Sequence, residues 1–124
     1  MSAGTSLKAE VLSSLSAIDD FTGLFDGPPA RASYPYLAID TGLELDWSNK
    51  SHLGREVGLA LTIWDDQPSR LEQLAEKVEA ALQTVRDPAA WQLVSLRFQR
   101  RRIIRDVAGP WAMAIDYRAR MLKN

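Results

Sequence analysis

Along this chain apolar residues recur at helical spacing in two stretches and alternate with polar ones in most of the others. Leu7, Val11, Leu12, Leu15 and Ile18 share one side of a helix predicted over residues 6–18, with Thr5 or Ser6 as its cap. The strongest helical signal covers residues 69–86, where Leu71, Leu74, Ala75, Val78, Leu82 and Val85 form a continuous stripe. Ser69 followed by Glu72 reads as a capping box, Pro68 stands just outside, and Asp87-Pro88 stops the helix.

The alternating stretches predict strands. Pro35 pushes Tyr34 toward an extended backbone, and Tyr36 to Thr41 follow as a short strand. In residues 56–64, Val57, Leu59, Leu61 and Ile63 point one way and Gly58, Ala60, Thr62 and Trp64 the other. The second set is mostly small, so another element, such as a helix, has room to approach it. Residues 91–105 read as a long strand or bent pair, with a register shift expected at Ile103-Ile104. Ala108-Gly109-Pro110 is a turn, and residues 111–119 alternate again, with Trp111, Met113, Ile115 and Tyr117 inward. Residues 23–35, with Gly27-Pro28-Pro29, read as a connector, and residues 42–55 as a long exposed loop.

The resulting order is α-β-β-α-β-β. It implies an α+β fold, a largely antiparallel sheet of four or more strands packed by two helices, in one domain over 1–124. Tyr36, Leu59, Leu61, Ile63, Trp64, Leu74, Val78 and Leu82 are the expected core.

Composition adds exclusions. The 124 residues are 46% hydrophobic and 25% charged, a globular rather than a disordered balance. The net charge of -1 offers no bulk attraction to nucleic acid. There is no cysteine, so disulfides and thiolate metal sites are excluded. No apolar run approaches the roughly 20 residues that span a bilayer. The start, Met1 to Ser6, lacks the basic and apolar regions of a signal peptide, so assembly in the cytosol is expected.

The charge is unevenly placed. Residues 1–96 carry 7 Lys/Arg and 14 Asp/Glu, whereas residues 97–124 carry 8 and 2. Unlike halves suit head-to-tail contact between copies, and equally two solvated faces of one molecule.

Candidate chemistry is sparse. His52 is the only histidine, with no nucleophile and orienting group to make a triad, and reads as a surface residue. Asp65-Asp66 and Asp19-Asp20 would hold Mg²⁺ only if the fold joined them, and each reads more simply as a polar turn. The glycines are isolated, so no phosphate-binding loop is present, and no cofactor is implied. Arg97, Arg100, Arg101, Arg102 and Arg105 crowd one strand. Strict alternation sends Arg97, Arg101 and Arg105 to one face and Arg100 and Arg102 to the other. They suit phosphate contact, pairing with carboxylates of a neighbouring copy, or protection of a sheet edge. Trp47, in the polar loop with Asn49, Lys50 and His52, either folds back onto the core or anchors a partner.

One resemblance spans most of the chain. Tyr34-Pro35-Tyr36-Leu37-Ala38-Ile39, the stretch Gly54 to Asp65 with Ile63-Trp64, and the helix from Glu72 to Ala81-Leu82 resemble the tail-completion or tail-terminator proteins of long-tailed bacteriophages and gene transfer agents. The resemblance implies a structural, non-enzymatic virion protein of α+β fold. It implies a hexameric ring that caps the head-proximal end of the tail tube and ends its growth. The ring would join the head connector or stopper, with double-stranded DNA passing through its channel. The alternative reading is a small accessory protein that binds nucleic acid through the Arg97–Arg105 strand.

Overall fold

The structure is a computed structural model and describes residues 2–107 and 109–124. Its order is α1 (Ala3–Leu15), β1 (Gly23–Asp26), β2 (Tyr36–Asp46), β3 (Gly54–Asp65), α2 (Pro68–Leu82), β4 (Trp91–Arg105) and β5 (Trp111–Lys123). The strands form one sheet in the order β1-β2-β3-β5-β4. β1 runs parallel to β2, and every other pairing is antiparallel. The class is α+β, as expected, with one strand more than the sequence pattern predicted.

β3 lies at the centre because its inward set is wholly apolar. Val57, Leu59, Leu61 and Ile63 are buried beneath both helices. α1 presents Leu7, Val11 and Leu15 to the same layer, and α2 presents Leu71, Leu74, Val78 and Leu82. Met113, Ile115, Tyr117 and Met121 of β5 complete it. Both helices therefore cover one face of the sheet. Tyr36 and Trp64, expected in the core, sit on the other face, half-buried and stacked with ring centroids 6.4 Å apart. Their strands alternate correctly; the error was to count large aromatics as core whatever their parity.

Several boundaries move for local reasons. α1 begins earlier, with Ser2 as its cap, the side chain accepting from Thr5 N–H at 3.1 Å, while Ser6 is buried inside the helix. β1 arises within the supposed connector by pairing Gly23 to Asp26 alongside Tyr36 to Ile39. β2 continues past a bulge between Thr41 and Glu44 as far as Asp46, and β3 begins at Gly54, so half of the supposed loop 42–55 is hairpin arm. Only residues 47–53 remain as loop. Of the expected turn after β4, Ala108 lies outside the described residues; Gly109 N–H donates to Asp106 O at 3.3 Å.

α2 does not use the expected capping box. Gln67 takes the cap position with no side-chain bond of its own, and Pro68 is the first helical residue. Proline suits that place because its fixed φ is helical and its missing N–H would go unbonded anyway. Asp65 instead ties down the residue before the helix and a side chain of its first turn. Its carboxylate accepts from Gln67 N–H at 3.1 Å and from Arg70 Nε and Nη2 at 2.6 and 2.7 Å.

Candidate assembly surface

The uncovered sheet face is legible row by row, because residues opposed in an antiparallel pair point the same way. One end carries Tyr36, Trp64, Ala112 and Ile104 across β2, β3, β5 and β4. Inward along the strands follow Ala38, Thr62, Ala114 and Arg102, then Asp40, Ala60, Asp116 and Arg100. Gly58, Arg118 and Arg97 form the next row, then Glu56, Arg120 and Ser95, and Gly54, Leu122 and Gln92 the last. The face is thus aromatic at one end, small in the middle and basic along β4 and β5.

The arginine strand is divided differently from strict alternation. β4 carries two register shifts, at Val94 between Leu93 and Ser95 and at Gln99 between Phe98 and Arg100. Ile103 and Ile104 pair regularly with Met113 and Ala112, so no shift occurs there. The bulge at Gln99 reverses the parity of Ser95 to Phe98, and the one at Val94 restores it. Arg97 therefore joins Arg100 and Arg102 on the open face, while Arg101 and Arg105 turn to the helix side. Arg101 donates to Glu79 at 2.7 Å and lies 3.6 Å from Glu72, both on α2. Arg105 sits over the Trp111 ring at 5.0 Å. Arg100 pairs with Asp116 at 2.8 Å. Arg97 and Arg102 are exposed and make no ion pair among the described residues.

Sequence reasoning omitted two basic members of this face. Arg118 and Arg120 flank Glu56 at 3.8 and 2.9 Å. The alternation of residues 111–119 already sends Arg118 outward, and Arg120 shares its parity, which is the signal that finds them.

The loop after β2 closes on itself. Asn49 Oδ1 accepts from the backbone N–H of Ser51 and His52 at 2.9 and 2.8 Å, so its side chain shapes the turn. Lys50 and His52 are exposed. Trp47 is half-buried, with the Arg120 guanidinium 5.5 Å from its ring centroid. The expected anchor therefore folds back toward its own sheet.

Among the described residues no group of three or more His, Asp or Glu is placed to hold a metal ion. Asp65 is committed to Arg70, and Asp20 to Lys77 at 2.8 Å. No helix of the described residues is long and apolar enough to cross a membrane.

On the helix side, Tyr117 packs edge-on against Phe98 with centroids 5.8 Å apart. Burial, reinforced by the Glu79 carboxylate and opposed by Arg101, pushes its phenol up to about 12. The folded value lies above the ordinary value of about 10, so this contribution to stability is complete below pH ~10 and is lost as pH rises toward 12. The difference in phenolate absorbance between the native protein and Tyr117→Phe is expected to appear near pH 12 or at alkaline unfolding. A difference centred near pH 10 in folded protein would contradict the burial of this hydroxyl.

Solved structures that share this fold include the following two. A chain from the virion of a native gene transfer agent particle superposes with a TM-score of 0.69 at 23% identity, covering 98% of this chain and 99% of that one. The gp17 protein of bacteriophage SPP1 superposes with a TM-score of 0.60 at 16% identity, covering 93% and 88%. At such identities the likeness speaks for the fold. No match was found among curated protein sequences. The family model for tail completion protein gp17 matches residues 8–122, which run from the first helix to the end of the last strand. The chain therefore belongs to the tail completion protein gp17 family.

Proposed function

We propose that this protein is a structural virion component that forms a ring of six copies on the head-proximal end of a tail tube. The ring stops the tube's growth and joins it to a head connector or stopper protein, with double-stranded DNA passing through its channel. It acts by contact and catalyses no reaction, and it needs no cofactor. Its place in this reading is the head-tail junction of a phage or gene transfer agent particle assembled in the bacterial cytoplasm.

The observation that carries the reading is the family match over residues 8–122. The surface is consistent with it. A closed ring needs two unlike patches on each copy, and this chain has a basic open sheet face and, on α2, the acidic residues Glu72, Glu76 and Glu79. In this reading Arg97, Arg100, Arg101, Arg102 and Arg105 serve subunit contacts or the channel wall. Trp47, Asn49, Lys50 and His52 lie where a neighbour or the major tail tube protein is met.

The test is negative-stain electron microscopy of the protein with polymerising tail tube protein, with light scattering for mass. The expected result is rings, or tubes capped at one end and limited in length. Tubes that grow without limit in its presence would overturn the reading. Exposed Arg97 and Arg102 give the accessory nucleic-acid binder its only specific support. That reading requires binding by the monomer that falls steeply with salt.

A further inference from the structure

The open face of the sheet is uncovered within the chain, yet its middle is built for close approach. Gly58, Ala60, Thr62 and Ala114 leave its surface low, and a depression of about 400 Å³ lies between Gly42, Gly58, Ala60 and Arg100. We propose that α2 of the next copy in the ring packs across this face, with its carboxylates on the arginines of β4 and β5. The proposal rests on the ring reading and names the two surfaces that meet.

Symmetry narrows the choice of partner surface. Neighbours in a six-fold ring are turned by far less than the half-turn that would oppose identical faces. The open face of one copy can therefore meet the helical side of the next, but not its open face. On the helical side, α2 carries the complementary charge. Glu72, Glu76 and Glu79 lie at i, i+4 and i+7 and form one stripe. Among the described residues only Arg101 forms ion pairs with that stripe, through Glu79 and Glu72, and Glu76 has no ion-pair partner. Across the contact stand Arg97 and Arg102, which also lack one, with Arg100 still two-thirds exposed beside Asp116. Arg101 already makes this contact within one copy, so the geometry of guanidinium on the α2 stripe is compatible with the fold. A sheet that receives a second helical layer also buries Tyr36, Trp64 and the half-exposed Ile104.

Double-stranded DNA is the competing occupant of a basic face. It fits less well, because Glu56 and Asp116 lie among the arginines and hold three of them. Phosphates would meet these carboxylates as well as the guanidinium groups.

The absence of cysteine makes a clean cross-linking test available. Ala114→Cys marks the open face and Ala80→Cys marks the exposed side of α2; both are tested for an unchanged thermal midpoint. With tail tube protein present, a mixture of the two single variants and a short bis-maleimide should give covalent dimers only. One chain carrying both substitutions should give a ladder ending at the closed ring. The charge test runs in parallel. Arg97→Glu/Arg102→Glu should weaken assembly at least about tenfold, and adding Glu72→Arg/Glu76→Arg to the same chain should restore it. Rings or capped tubes without the 114–80 cross-link overturn the proposal and leave the ring reading intact. Neither rings nor capped tubes from the native chain overturns both. An arginine variant that assembles normally but no longer retains DNA assigns the face to DNA and also overturns the proposal.

Discussion

Arg70→Ala is expected to lower the thermal midpoint by about 10 °C, although Arg70 itself is partly exposed. The loss comes from the partner. Asp65 is fully buried at the end of β3 and has one guanidinium to neutralise it. Removing that cation leaves a buried carboxylate without its counter-charge, which costs about 3 kcal/mol. Asp65→Asn should cost less, about 1–2 kcal/mol, because the amide still accepts from Gln67 N–H and Arg70 can turn to water and Asp66. The asymmetry is the test. Equal losses in differential scanning calorimetry would mean that the pair matters for its mutual attraction and not for the burial of one member.

The same pair sets a pH dependence. Burial by itself pushes the Asp65 carboxyl up, but the Arg70 hydrogen bonds, the Gln67 N–H and the Arg70 charge together hold it below the usual carboxylate range. Its contribution to stability is therefore present above the ordinary carboxylate pKa of about 4 and is lost as pH falls through the lower folded value. In Arg70→Ala only the Gln67 N–H and the Asp66 side chain oppose burial, so protonation relieves the variant. The gap in midpoint between the two proteins should narrow between about pH 7 and pH 4. A gap that stays constant over that range would show that Asp65 is not the source of the loss. In the ring reading the pair has a second consequence, because it fixes the angle at which α2 leaves β3.

What the sequence pattern disclosed, and what it hid, follows from period and length. β3, β5 and α2 were legible because each carries a long, unbroken repeat with one apolar face. β1 has only Leu24 and Phe25 between Gly23 and Asp26, too few residues to show a period. The outer arm of β2 from Gly42 to Asp46 is exposed on both faces, so no apolar alternation marks it. The bulges at Val94 and Gln99 were hidden because each is a polar or β-branched residue in a run of similar ones, and the visible pair Ile103-Ile104 drew the shift to the wrong place. That misplacement matters most for the site, since it puts Arg97 on the wrong face. The cap of α2 was misread because Ser69 satisfies a local rule that Asp65, with Arg70, overrides from outside the helix. The role in the virion was not in the pattern at all. It came from the resemblance of Pro35-Tyr36, Ile63-Trp64 and Ala81-Leu82, and the family match over 8–122 supports it.

Gly54→Ala is the second large effect expected, and it links stability to the loop that the ring reading sets against a neighbour. A side chain at Gly54 would place its Cβ 2.1 Å from the Trp47 carbonyl oxygen and 2.6 Å from its carbon. These are backbone atoms of the residue that follows β2, so no rotamer relieves the clash. The hairpin end must open. That breaks the Trp47 N–H bond to Gly54 O at 2.9 Å and the Gly54 N–H bond to Ser48 Oγ at 2.9 Å. Steric strain and the lost bonds together should cost about 3 kcal/mol. Gly42→Ala is the control, since nothing lies within 4 Å of its added carbon and the change should stay within about 0.5 kcal/mol. Thermal unfolding measures both, and amide exchange locates the damage. Loss of protection confined to residues 47–53 would mean that the loop opens as a unit, separating Trp47 from Arg120 while the sheet persists. In that case a Gly54→Ala protein that remains folded but no longer caps tubes would place the closed loop in the assembly contact. One that caps tubes normally would remove Trp47, Asn49, Lys50 and His52 from that contact and leave the open sheet face and α2 as the surfaces that build the ring.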